Sequence, residues 1–188
     1  KTGTIVEDLS GNGRAGVVRP TGSQVTTEDA NIYGAKQTAY KFLGGQPSNE
    51  NSYVELPSGV FNGLEDMTVS CWVNMKEAWG SYQRIWDFGF QNNKGQFNTT
   101  TYMYLLADGS NEGHRGYTAA LTNSGWSNEK GPEKGEALAT DEWIFTTVTF
   151  DGSEKEMSLY EDGVLIGTEK TQVDLSVLKD ANNALIGY

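Results

Sequence analysis

Residues 141–167 read Asp-Glu-Trp-Ile-Phe-Thr-Thr-Val-Thr-Phe-Asp-Gly-Ser-Glu-Lys-Glu-Met-Ser-Leu-Tyr-Glu-Asp-Gly-Val-Leu-Ile-Gly. Three runs rich in apolar and β-branched residues are separated by two Asp-Gly breaks. Period-two alternation marks a strand with one buried face. Asp-Gly accepts positive φ at both centres of a type I′ turn, whose twist matches that of the strands it joins. The segment predicts three antiparallel strands and two tight turns, with Trp143, Val148, Phe150 and Leu159 as core. It sets the class of the chain as antiparallel β.

The pattern recurs upstream. Residues 38–45 and 52–56 alternate, as do 67–75, 83–90, 101–107 and 116–122. In 67–75, Met67, Val69, Cys71 and Val73 share one face, and Thr68, Ser70, Trp72 and Asn74 the other. Residues 175–180 suit one helical turn, and Ala184-Leu-Ile-Gly opens a last strand. About ten short strands with no long helical run predict a β-sandwich. The long polar loops at 91–100 and 123–139 are where function is expected.

The chain has 188 residues, which fits one domain over 1–188. A formal net charge of −11 argues against nucleic acid and against anionic membrane surfaces. No apolar run is long enough to span a bilayer. Cys71 is the single cysteine, so no intrachain disulfide forms. It sits in an apolar strand without a nearby base and reads as core, not as a nucleophile. Gly11-x-Gly13-x-x-Gly16 spells a dinucleotide fingerprint. No strand–turn–helix context surrounds it, so its glycines read as turn positions.

Five segments in order carry a family likeness: Asp8-x-Ser-Gly-Asn-Gly-x-x-Gly; Tyr53-Val-Glu-Leu-Pro; Met67-Thr-Val-Ser-Cys-Trp-Val; Arg84-Ile-Trp-Asp-Phe-Gly with Tyr102-Met-Tyr-Leu; and Glu142-Trp through Leu159-Tyr-x-Asp-Gly-Val-x-Ile-Gly. Together they resemble a concanavalin A-like jelly roll of the laminin G-like type found in bacterial extracellular proteins. The resemblance implies a secreted or extracellular module beside a glycoside hydrolase, binding glycan or acting as a spacer between neighbouring domains. The Arg-Ile-Trp-Asp-Phe-Gly form looks most like modules attached to enzymes that remove arabinose from plant polysaccharides. The family has a strand before the Ser-Gly-Asn-Gly loop and one after Ile186-Gly187. Both are expected to lie outside this chain. Phe145 stands where the family often has His.

Sugar rings present apolar C–H faces that stack on Trp and Tyr, while flanking polar groups take the hydroxyls. Trp72, Trp86 and Trp143 lie in strands and read as core. Trp79, beside Tyr82, and Trp126 lie in polar loops and read as stacking residues. Arg84, Tyr102, Tyr104 and Arg115 are the polar groups expected around them; Asp87 is polar-capable too, and His114 reads as a plain exposed loop residue. Strand parity puts Arg84 with Trp86 and Phe88, and Asp87 on the opposite face, where burial would demand a partner. Retaining glycoside hydrolysis would need two carboxyls on one strand face. Glu154-Lys-Glu156 sits on a turn, so no catalytic residue is assigned. No cofactor is required. Asp8 and Asn12 with free loop carbonyls offer oxygens for a structural Ca2+. The competing reading is a spacer or adhesin domain contacting protein. Solvent exposure of Trp79, Tyr82 and Trp126 separates the two.

Overall fold

The computed structural model describes residues 5–19, 25–42, 52–76, 82–91, 97–109 and 116–187. Among these are thirteen strands: β1 (Ile5–Val6), β2 (Gly16–Arg19), β3 (Thr26–Ile32), β4 (Ala35–Lys41), β5 (Tyr53–Glu55), β6 (Met67–Val73), β7 (Gln83–Gln91), β8 (Phe97–Asp108), β9 (Thr118–Thr122), β10 (Ile144–Asp151), β11 (Glu156–Glu161), β12 (Val164–Lys170) and β13 (Asn183–Ile186). Short 3-10 turns occupy Trp126–Asn128 and Leu175–Leu178. All the strand pairings are antiparallel. A seven-stranded sheet runs β1-β2-β5-β13-β7-β8-β9, a four-stranded sheet runs β12-β11-β10-β6, and β3 pairs with β4 alone.

The two large sheets share one core. Trp86, Phe88, Met103, Leu105, Ala119 and Leu121 come from the first sheet, and Ile144, Val148, Phe150, Met157 and Leu159 from the second. Val148, Met157 and Leu159 are fully buried, and each such side chain contributes about 1.5–3 kcal/mol. Met67, Val69, Cys71 and Val73 pack inward on this core, as their alternation predicts. Trp72 points outward, packed at a tilt across the pair against Phe145 with ring centroids 5.0 Å apart. Trp143 is half-buried and lies outside the core cluster.

Only one of the two Asp-Gly pairs is a two-residue turn. Asp162 and Gly163 have φ of 50° and 79° between Glu161 and Val164, which are paired. At the other break Asp151 pairs with Glu156, so four residues intervene and Lys155 takes the positive φ of 51°. Gly152 is needed for space instead: a Cβ there would lie 2.3 Å from the Glu65 carbonyl oxygen. Asp151 Oδ1 accepts from Ser153 Oγ and Glu154 N, which holds the wider turn. β3 lacks apolar alternation and was not predicted. Its hairpin closes at Tyr33-Gly34, where φ values of 49° and 83° fit the type I′ pattern. A strand does precede the Ser-Gly-Asn-Gly loop: β1, on β2.

Residues 123–139 are not a free loop. Backbone bonds from Ala119 N to Pro132 O (3.1 Å), Leu121 N to Lys130 O (3.0 Å), Lys134 N to Tyr117 O (2.9 Å) and Tyr117 N to Glu136 O (2.7 Å) lay residues 130–136 along β9. They cover the open edge of the seven-stranded sheet, which would otherwise present unpaired backbone groups. Close approach at Gly131 makes this cover fit, because a Cβ there would sit 2.1 Å from the Ala119 carbonyl oxygen. Gly131→Ala should therefore lower stability by roughly 1–3 kcal/mol, read as a shifted urea midpoint.

Candidate functional site

Side chains that alternate with the core residues of β7–β9 emerge on the outer face of the seven-stranded sheet. Tyr102 and Tyr104 flank Met103, whose side chain is in the core, and so lie on this face. Asp87 stands opposite Tyr104 and opposite Leu185, and Leu185 stands opposite Glu55. Opposed residues point to the same side of a sheet. Asp87, Tyr104, Leu185 and Glu55 therefore form one row across it.

Strand parity predicted Arg84 and Asp87 on opposite faces, and the structure corrects this. Arg84 pairs with Leu106 and Trp86 pairs with Leu105, so two steps along β7 match one along β8. This is a β-bulge. It sends Ile85 and Trp86 both into the core and turns Arg84 onto the face of Asp87. The two side chains form an ion pair. Asp87 is 2% exposed, and the pairing gives this buried carboxylate the partner it requires. The Arg84 guanidinium also lies 5.1 Å from the Tyr104 ring centroid and 5.8 Å from that of Tyr102, within cation–π range.

The two tyrosines converge on one carboxylate that the sequence did not single out. Tyr102 Oη donates to Glu129 Oε1 at 2.6 Å, and Tyr104 Oη to Glu129 Oε2 at 2.7 Å. Hydrogen bonds to a charged group contribute about 1.5–3 kcal/mol. Glu129 is an isolated acid in a polar stretch, and its only sequence signal is its place three residues after Trp126. The tyrosine rings, expected at the rim of a sugar platform, are instead its buried floor at 9% and 2% exposure.

Trp126 is tied to the same fork. Gly125 N donates to Thr100 O at 2.9 Å, and Glu129 N donates to Trp126 O at 3.4 Å. Gly125 has φ 82° and ψ −178°, a combination essentially confined to glycine. Thr122 Oγ1 donates to the Gly125 carbonyl at 3.1 Å. The backbone is thus held on both sides of Trp126, while its side chain is 79% exposed. Trp72, Trp86 and Trp143 are all more buried. An exposed indole on a fixed backbone, three residues before the Glu129 carboxylate, can stack on the apolar face of a sugar ring.

A family model described as the concanavalin A-like lectin/glucanases superfamily matches residues 48–188. The chain belongs to that superfamily. The concanavalin A-like fold is also seen in solved structures. Domain 4 of AbnA, a GH43 extracellular arabinanase from Geobacillus stearothermophilus in complex with arabinotriose, aligns with a TM-score of 0.65 and 17% identity, over 98% of this chain and 83% of that one. The CBM40 of the Ruminococcus gnavus IT-sialidase bound to α2,3 sialyllactose aligns with a TM-score of 0.53 and 15% identity, over 71% and 76%. No curated protein matches.

On this concanavalin A-like sandwich Tyr82 stands apart from the tyrosine–Glu129 fork. Tyr82 is 61% exposed with φ 66°. It precedes Gln83, which pairs with Asp108, whereas Tyr102 pairs with Gly89 at the other end of β7. Six residues of strand separate those registers, roughly 20 Å. Trp79, His114 and Arg115 lie outside the described residues. Glu154 and Glu156 both reach the exposed Lys170, at 2.8 and 3.5 Å. The Cys71 thiol sits 3.2 Å from Thr146 Oγ1, and burial pushes its pKa up, the reverse of what a nucleophile needs.

Asp8 and Asn12, the predicted metal ligands, serve their own loop. Asp8 Oδ1 accepts from Ser10 N (2.8 Å) and Ser10 Oγ, and Oδ2 accepts from Arg14 N at 2.7 Å. Asn12 Nδ2 donates to Ser10 Oγ at 2.9 Å. A cation here would compete with these bonds. The Ser10 hydroxyl and the Arg14 and Ser10 amides lower the Asp8 pKa from 3.8 to about 2. A depressed carboxylate pKa stabilises the fold above the unfolded value and loses that contribution as pH falls through the folded one. Thermal melts should therefore show Asp8→Asn less stable than the parent at pH 5. The two should converge as the pH is lowered from about 4 to about 2.

Proposed function

We propose that this chain is a non-catalytic carbohydrate-binding module of a secreted, extracellular bacterial polysaccharide-degrading enzyme. The carrying observation is Trp126, an exposed indole on a backbone fixed beside the Glu129 carboxylate. A sugar ring stacks on Trp126, and its hydroxyls reach Glu129 and Arg84. The buried tyrosines hold Glu129 in place. Tyr82, exposed at the far end of β7, extends contacts along a polymer, and Trp79 and Arg115 are proposed as further contacts. Fold likeness to the arabinotriose-bound domain of an extracellular arabinanase supports the same context, with a catalytic domain as the chain's covalent neighbour.

Two carboxylates of this face are already committed, Asp87 to Arg84 and Glu129 to the two tyrosines, which supports binding over hydrolysis. A spacer or adhesin role draws on a different observation. Trp72, Phe145 and Tyr33 form an aromatic group on the outer side of the four-stranded sheet, with the Tyr33 ring 5.2 Å from Trp72 and Tyr33 80% exposed. That surface offers a protein contact, with the Ser70 and Thr147 hydroxyls beside the rings. No helix among the described residues is long and apolar enough to cross a membrane, and the net charge of −11 opposes nucleic acid.

Titration calorimetry against arabinan, xylan, fructan and host glycans tests the reading. Binding of a short oligosaccharide is expected on the order of 10 µM to 1 mM. Trp126→Ala should weaken it at least about 10-fold, roughly 1.4 kcal/mol, with the melting temperature unchanged. No heat with any glycan at millimolar concentration contradicts the proposal. EDTA should leave the affinity unchanged, since neither the platform nor the fork needs an ion. A structural Ca2+ on Asp8 and Asn12 is a separate proposal, read as a rise in melting temperature with added Ca2+.

A further inference from the structure

The outer face of the four-stranded sheet carries its own arrangement of rings and hydroxyls, and the register places it. Trp72 stands opposite Phe145. In the next outward row Ser70 opposes Thr147, Thr147 opposes Tyr160, and Tyr160 opposes Leu165. Thr68, Thr149, Ser158 and Thr168 make up the row after that. A register shift beside Tyr160 preserves this order. Ile166 is the extra residue on β12 and packs on the core, so Leu165 stays outward with Tyr160. Each of the four strands thus presents an apolar or aromatic side chain, in two adjoining rows. Diagonal neighbours on a sheet are within reach of aromatic side chains. The strip crosses three strand spacings, roughly 14 Å, long enough for several linked sugar rings.

Hydroxyls flank the strip. Thr147 Oγ1 donates to Ser70 Oγ at 3.1 Å, and Ser158 Oγ lies 2.8 Å from Thr168 Oγ1. A hydroxyl has one donor and two acceptor sites, so these pairs keep capacity for a sugar hydroxyl. Charge narrows the occupant. The chain is 21% charged, yet among the described residues these three rows hold no charged side chain. Charges begin at their margins, with Asp151, Glu156 and Lys170 in the following row and Asp162, whose carboxylate accepts from Phe145 N. An ionic partner finds no counter-charge within the strip. A second copy would bring another net charge of −11 against the first. Protein interfaces are depleted in Ser, and their hot spots in Ser and Thr. A neutral, polyhydroxylated chain matches rings and hydroxyls together.

Tyr33 is an independent pointer. It occupies a turn position at φ 49°, where Asn or Gly is favoured and a bulky side chain is strained. Its ring meets Trp72 edge-on at 5.2 Å and is 80% exposed. Such slight burial is a poor return for the strain, whereas a ligand contact offsets it. The tip of the β3–β4 hairpin raises an aromatic wall at the Trp72 end of the strip.

We infer that this face is a second glycan site, separate from Trp126, which takes an extended neutral oligosaccharide across the strands over Tyr33, Trp72 and Phe145. The test follows the indole N–H resonances of the isotope-labelled chain, assigned with Trp72→Phe and Trp126→Phe. The probes are α-1,5-arabinohexaose, xylohexaose and a fructan hexasaccharide at millimolar concentration. With at least one probe the Trp72 resonance should shift and saturate, and it should still do so in Trp126→Ala. Tyr33→Asn suits the positive φ and removes the ring. It should weaken the Trp72 response at least about 3-fold and leave that of Trp126 unchanged. A Trp72 resonance that no probe moves, while Trp126 responds, overturns the inference and leaves the first site intact. So does a Trp72 response unaltered in folded Tyr33→Asn, or one that follows protein concentration and not glycan, which assigns the face to a second copy. A response at Trp72 with none at Trp126 supports this site and overturns the first. Silence at both overturns both.

Discussion

The bulge in β7 sets what the outer face of the seven-stranded sheet can be. In a regular strand Arg84 would point inward with Trp86, and Asp87 would be a buried carboxylate facing outward without that cation. Leaving such a charge unpaired costs several kcal/mol. Two steps of β7 against one of β8 instead bring guanidinium and carboxylate together. The same step adds Ile85 to the core beside Trp86. One backbone irregularity therefore pairs a charge, fills the interior and lays a cation over two aromatic rings.

The second requirement is the segment after β9. Residues 130–136 close the sheet edge by backbone bonds. The residues just before them carry Trp126 and Glu129. Edge protection and site construction are thus one structural task. The glycines show it most clearly: Gly131 allows the chain to lie against Ala119, and Gly125 adopts a backbone conformation that side chains resist. Glu129 then locks the arrangement by accepting both tyrosine hydroxyls. The backbone under the exposed indole is held by hydrogen bonds on both sides, which reduces the ordering cost of binding.

Much of the fold was legible because one sheet face is buried and period two is unforgiving there. Met67, Val69, Cys71 and Val73 could face only one way. β3 was illegible, since Thr-Thr-Glu-Asp-Ala-Asn-Ile forms a hairpin arm with little burial and so needs no alternation. Asp151-Gly152 looked like a turn, yet its glycine answers a steric demand from Glu65, on a distant part of the chain. The exposure of Trp126 was readable from its polar loop. The companionship of Arg84 and Asp87 was not, because a bulge is decided by the partner strand. Glu129 was not readable either, since nothing local marks an acid whose partners are two tyrosines some 25 residues earlier. Asp8 offers its carboxylate oxygens to a cation and to its own turn for the same reason. Its short carboxylate reaches backbone amides of its own loop.

The central claim is that Trp126 and Glu129 form one glycan platform on the outer face of the seven-stranded sheet. A crystal structure of the chain soaked with a neutral oligosaccharide tests it most directly. The account predicts a sugar ring stacked on the Trp126 indole, with a hydroxyl within hydrogen-bonding distance of Glu129. A sugar bound instead over Trp72 and Phe145 on the opposite sheet, with Trp126 untouched, would contradict it.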